Sequence, residues 1–256
     1  MTSNTNWLCK LVVLTFTATM LVAEGTASAQ PLEETRFIVG TSVGKQFVKD
    51  AVWNELDFTI FEEKGTFEAN YELTTDTAFD GGFAYRAWKR LGLGFEISRF
   101  SKSITASLKA EVPHPFFFSF PRHTTGLASG INRSELDFHL QAQYWRVIGD
   151  KLLVRGSIGP TIFNVSHDLV SEITTQEQGL DFTEVDIVGY ETITSSNRSL
   201  GFNVGLDVSY FILKPVGLGL VVRYSRGTSD VRFKGRSQPA LELGGTHLAG
   251  GIRVAF

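Results

Sequence analysis

Asp137 and His139 stand two residues apart in SELDFHLQAQYWRV, residues 134–147. On an extended chain that spacing puts both side chains on one face, and a carboxylate beside an imidazole can activate water. Three other groupings hold reactive residue types. Gly40-Thr41-Ser42-Val43-Gly44 satisfies G-x-S-x-G, but a nucleophile elbow needs a strand-to-helix turn and the flanking residues read as one continuous strand. Ser166, His167 and Asp168 are consecutive, so they cannot converge as a relay. His114 and His123 flank an aromatic run, PHPFFFSFPRH, residues 113–123, yet two histidines without a third ligand make no metal site. Neither a metal nor a cofactor is expected. The run itself sets Phe116, Phe117, Phe118 and Phe120 between prolines that cannot continue a hydrogen-bonded ladder.

The elements that must position these residues begin after a leader. Lys10, an apolar stretch over residues 11–23 and Ala27-Ser28-Ala29 read as a secretory signal with an A-x-A cleavage site. Residues 1–29 are expected to be removed, leaving one domain over residues 30–256. The sole cysteine, Cys9, falls in the leader, so the mature chain has neither a disulfide nor a thiolate metal site. No later stretch is long and apolar enough for a transmembrane helix. A net charge of −3 without a basic cluster speaks against nucleic acid.

Alternation of apolar and polar residues dominates what remains. In residues 134–147, Leu136, Phe138, Leu140, Ala142 and Tyr144 share one face and Glu135, Asp137, His139, Gln141 and Gln143 the other. Phe202, Val204, Leu206, Val208 and Tyr210 repeat the pattern, as do Leu218, Leu220, Val222 and Tyr224. The strands reach about ten residues or more, which suits tilted strands crossing a bilayer. Short turns follow Trp88, Ile148 and Leu213, whereas long polar connections lie between Ser101 and Ser134, from Ser166 to Ser199 and from Thr228 to Leu243. Short turns on the periplasmic side and long loops outside is the asymmetry of an outer-membrane barrel. Tyr85, Tyr144, Tyr210 and Phe256 fall near the short-turn end, where an aromatic girdle belongs.

The expected fold is thus all-β: a membrane-spanning antiparallel up-and-down β-barrel of 8–10 strands. Eight are clear. Two further alternating segments between Val52 and Thr74 favour ten, with an eight-stranded barrel carrying an extracellular hairpin as the alternative. The polar face places Arg86, Glu96, Asp137, His139, Arg155, Asp207, Arg223 and Arg253 in a narrow lumen, where they are expected to pair and plug it. The expected function is structural or interactive, exerted by the outer loops. A narrow channel for ions, small solutes or apolar molecules is the alternative. The phenylalanine run falls in an outer loop. Its rings either fold down onto the barrel mouth as a lid or form an exposed patch for an extracellular ligand.

With its signal peptide, alternating strands, loop asymmetry and last strand HLAGGIRVAF, the chain resembles the bacterial outer-membrane β-barrel superfamily of small OmpA-like and OmpX-like proteins. YRAWKRLGLGFEISRF and the HPFFF loop are similar to segments of uncharacterised members. The resemblance implies an outer-membrane protein surrounded by lipid and lipopolysaccharide, monomeric. It also implies that the strand ending in Phe256 is handled by periplasmic chaperones and the barrel assembly machinery. Outer-membrane proteases of the omptin type carry an Asp and a His spaced like Asp137 and His139, which raises a rim hydrolase as a further alternative. The second acidic pair such enzymes use has no counterpart here. The chain also lacks the peptidoglycan-binding domain of full-length OmpA-type proteins.

Overall fold

The computed structural model describes residues 32–48, 50–73, 75–229, 232–233, 236–237 and 241–256. The expected leader and its cleavage point before Gln30 lie outside them. Among the described residues the order is β1 (Phe37–Phe47), β2 (Asp50–Ile60), β3 (Glu63–Leu73), β4 (Asp76–Trp88), β5 (Leu91–Val112), β6 (Arg122–Ile148), β7 (Leu152–Gln178), β8 (Glu184–Phe211), β9 (Val216–Ser229), β10 (Arg232–Phe233), β11 (Arg236–Ser237) and β12 (Leu241–Ala255). Antiparallel pairing runs β1-β4-β5-β6-β7-β8-β9-β12 and returns to β1, so the sheet closes on itself. The seam joins the first strand to the last, from Ile38↔Ala255 to Phe47↔Thr246. Phe256 N–H completes it by donating to Phe37 O at 2.8 Å.

The ring therefore has eight strands and not the favoured ten. β1 and β4 pair directly from Phe37↔Tyr85 to Gln46↔Asp76, which leaves no place in the wall for the two strands between them. The β2–β3 hairpin instead stands above the ring, with β3 paired to the upper part of β5 from Thr66↔Glu111 to Tyr71↔Ala106. Its alternation was read correctly as strand, but Leu56, Phe67, Ala69 and Tyr71 face a core and not lipid. Alternation alone does not say which solvent an apolar face meets.

The long connections also differ from expectation. Most of each is strand: β5 runs 22 residues, β6 and β7 27 each, β8 28. Along β5 the odd positions point outward throughout, but the chemistry of the two faces exchanges at Ser101. Below it Leu93, Phe95 and Ile97 point out, and Glu96 and Ser98 point in. Above it Ser103, Ser107 and Glu111 point out, while Ile104, Ala106, Leu108, Ala110 and Val112 are buried inside. The same strand thus obeys membrane patterning in its lower half and water patterning in its upper half. On β6 a bulge at Ser129-Gly130, with Gly130 at φ 79°, shifts the register between the two zones.

Three layers fill the interior. At the short-turn end Ile38, Ala84, Trp145, Leu153, Phe211 and Ala255 form an apolar floor. Polar and charged side chains occupy the middle. Above them the upper halves of β5 to β8 and the β2–β3 hairpin enclose a second apolar core around Tyr71, Leu108, Ile131, Phe163 and Leu169. Asn54 Nδ2 donates to Val170 O at 3.0 Å, and the Tyr71 hydroxyl joins Asn54 Oδ1 to Val170 N–H at 2.8 Å each, tying the hairpin to β7.

Candidate functional site

Strand pairing brings the lumenal charges into two groups. Arg223 on β9 reaches across the barrel to Asp80 on β4, with Nη2 to Oδ1 at 2.8 Å, and to Glu96 on β5, with Nη1 to Oε1 at 2.5 Å. Ser98 Oγ donates to Asp80 at 2.6 Å, and His247 Nδ1 lies 3.3 Å from Asp80 Oδ2. Nearer the short-turn end Asp207 is shared between Arg155 at 2.7 Å and Arg253 at 2.9 Å. Arg253 Nη1 also donates to Ser42 Oγ at 2.9 Å. Between the two groups lies a cavity of about 50 Å³, lined by Glu96, Gln141, Arg155, Arg223 and Arg253 among others, with room for a few waters.

Arg86 and Asp137 stand apart from these groups, and His139 joins the first through Ser98. Arg86 lies at the short-turn mouth, half-buried, donating to Glu33 O and stacking 5.8 Å from the Trp145 ring. It shares the inward parity of Ala84 but sits at the end of β4, below the mid-height charges. Asp137 is buried, and its Oδ1 has no hydrogen-bond partner among the described residues. His139 sits deep in the lumen and not at its rim. Its Nδ1 meets Thr161 Oγ1 at 2.8 Å and its Nε2 meets Ser98 Oγ at 3.2 Å, so hydroxyls satisfy it. With both nitrogens engaged and no exposed surface, this imidazole does not present itself to a bulky substrate.

Sequence reasoning missed Asp80, Ser98 and His247 as partners of Arg223. Asp80 shares the alternating face of Gly82 and Ala84, so the signal was present. Trp145 carried no such signal, being an aromatic residue on a face that otherwise reads polar. The rejected groupings stay apart: His167 is buried while Asp168 turns outward to accept from Thr194 Oγ1 at 2.6 Å. His114 and His123 also go separate ways, the first buried and the second an exposed neighbour of Glu111 at 3.6 Å.

Above the second core the tips of three hairpins meet. Ser119 N–H donates to Glu63 Oε1 at 2.9 Å, the Phe116 and Phe182 rings stand edge to face at 5.1 Å, and Arg122 binds Glu177 Oε1 at 2.8 Å and Phe182 O at 2.9 Å. Phe116, Phe117, Phe118 and Phe120 are 64–75% exposed. They do not fold down as a lid, because the mouth beneath is already filled by the second core. His114 sets the loop: its Nδ1 accepts from the Phe116 and Phe117 amides at 3.1 and 3.2 Å, and its ring lies 4.8 Å from that of Phe117.

A closed antiparallel ring with Phe79, Phe83, Leu140, Ile158, Val204, Leu220 and Leu248 exposed on its outer wall, and charges inside, is a transmembrane-type β-barrel. No protein-family model and no curated protein matches the chain. Among solved structures it is similar to the outer membrane protein OprG from Pseudomonas aeruginosa, at 11% identity and TM-score 0.45, over 88% of this chain and 97% of that one. It is similar to Neisserial surface protein A at 14% identity and TM-score 0.42, over 86% and 97%. The outer membrane protease OmpT from Escherichia coli aligns at 11% identity and TM-score 0.34, over 91% and 100%. The ring, its belt and its filled lumen carry the class on their own.

Proposed function

We propose that the protein is an integral barrel of a bacterial outer membrane, with lipid and lipopolysaccharide around its belt, that conducts nothing and acts through its raised outer tip. The observation that supports this reading is the filled interior: an apolar floor at Trp145, ion pairs at mid-height and an apolar core above, each spanning the lumen. On β5 the outward apolar belt gives way at Arg99, and the strand continues 13 residues further, to Val112. At about 3.3 Å per residue and a tilt near 40°, its end rides roughly 33 Å above the lipid boundary. The last strand, ending in Phe256 and pairing with β1, is the natural element for the assembly machinery to recognise. A silent planar bilayer containing heat-modifiable, folded protein is the expected result. Steady single-channel steps would replace this reading with a channel.

A further inference from the structure

Resting on the tip being the working surface, we infer that its occupant is the zwitterionic surface of an apposed lipid bilayer, into which the Phe116, Phe117, Phe118 and Phe120 rings insert. The backbone argues this as strongly as the rings do. Burying an amide without a partner is costly, and this loop has removed most of that cost. Pro113, Pro115 and Pro121 have no N–H to bury, the Phe116 and Phe117 amides are held by His114 Nδ1, and the Ser119 amide by Glu63. Arg122 meanwhile takes the Pro113 carbonyl at 2.8 Å. Protein hot spots are carried mainly by Trp, Tyr and Arg side chains, and the run over residues 113–123 has none of these but Arg122, already held by Glu177. The tip offers donor-free rings on a fixed loop, a composition matched to the boundary between headgroups and acyl chains.

Charge selects among bilayers. Glu62, Glu111, Asp181 and Glu184 are exposed around the rings, against Lys64 and Lys109, while the Arg122 guanidinium is consumed by Glu177. An acidic collar is repelled by anionic lipid and tolerated by phosphatidylcholine. The height of the tip above its own lipid boundary directs the rings to a second membrane and not to the one that holds the barrel.

The test is flotation of the full chain, held in amphipol, with protein-free phosphatidylcholine vesicles. Wild-type protein is expected to float with the vesicles, and less so when phosphatidylglycerol is added. The variant F116S/F117S/F118S/F120S is expected to lose partitioning by more than about tenfold while keeping its heat-modifiable mobility. Folded wild-type protein that stays at the bottom overturns the inference, as does a quadruple variant that floats equally well. So does binding confined to erythrocyte ghosts and abolished by prior trypsin treatment of the ghosts, which assigns the tip to a protein. Bilayer conductance, read in parallel, separates the two proposals: a silent barrel that does not float keeps the proposed function and loses only this occupant.

Discussion

Replacing Arg223 by methionine keeps much of the side-chain volume and removes the one cation shared by Asp80 and Glu96. The Arg223 and Asp80 side chains are each 3% exposed and that of Glu96 20%. Breaking a buried pair by deleting one partner costs about 3–5 kcal/mol, because the survivor stays charged without compensation. Here two carboxylates lose their shared guanidinium, one well buried and one partly wetted, so the loss falls at the upper end, about 5 kcal/mol. Water entering the cavity beside Glu96 offsets some of it. Urea unfolding in micelles, followed by the shift from folded to unfolded gel mobility, reads the change. The control is decisive: Arg223→Met combined with Asp80→Asn and Glu96→Gln should recover most of the stability, since no charge is then stranded. An Arg223→Met single variant within about 0.5 kcal/mol of wild type, or a triple variant no better than the single, would refute the reasoning.

His167 lies outside the membrane-spanning part, 4% exposed, with its imidazole held down to about 4 by burial and by the Arg133 guanidinium. The unfolded chain takes up that proton near 6.5 and the folded one does not, so the contribution is whole above pH 6.5 and drains away as pH falls towards 4. The full window of about 2.5 units, at 1.36 kcal/mol each, gives about 3 kcal/mol; roughly 1.5 of those units lie above pH 5, so His167→Phe should flatten the acid limb of the urea midpoint between pH 7.5 and 5 by about 2 kcal/mol. Tyr71→Phe removes the hydroxyl that joins Asn54 to the Val170 amide; it should cost about 1–3 kcal/mol and expose the β2–β3 hairpin to protease while the ring stays intact. A Cβ on Gly44 would sit 2.0 Å from Leu248 O across the seam, so Gly44→Val should cut the yield of folded barrel in membranes severely, measured as the heat-modifiable fraction.

The barrel was legible because the bilayer imposes a simple code on strands long enough to show it. Leu136 to Tyr144 on one face and Glu135 to Gln143 on the other leave little else to conclude. What eluded the sequence were features that depend on a neighbour. Ser103 to Val112 alternates as cleanly as any spanning strand, but with the apolar residues on the inward parity, and only the register with β3 and β6 fixes that parity. For the same reason alternation leaves the β2–β3 hairpin open between two places, in the wall or above it. The charges were located but not their pairings, since Arg223 and Asp80 meet across the lumen and not along a strand. Arg86 shares the lumenal parity yet stands where the wall ends, a fact of length and not of pattern. Exposure of the phenylalanines turned on something the loop's own residues do not reveal: that Tyr71, Leu108 and their neighbours had already closed the mouth.

The exchange of faces at Ser101 also bears on what holds the molecule together. Ile104, Leu108, Ile131, Leu169 and Val185 form a core of the kind water drives together, carried by the same strands whose lower halves turn apolar residues outward. Taking the lower zone out of lipid changes the solvent of its outer wall and leaves the burial of the upper core untouched. Part of the barrel's stability therefore resides in a zone that does not depend on the bilayer.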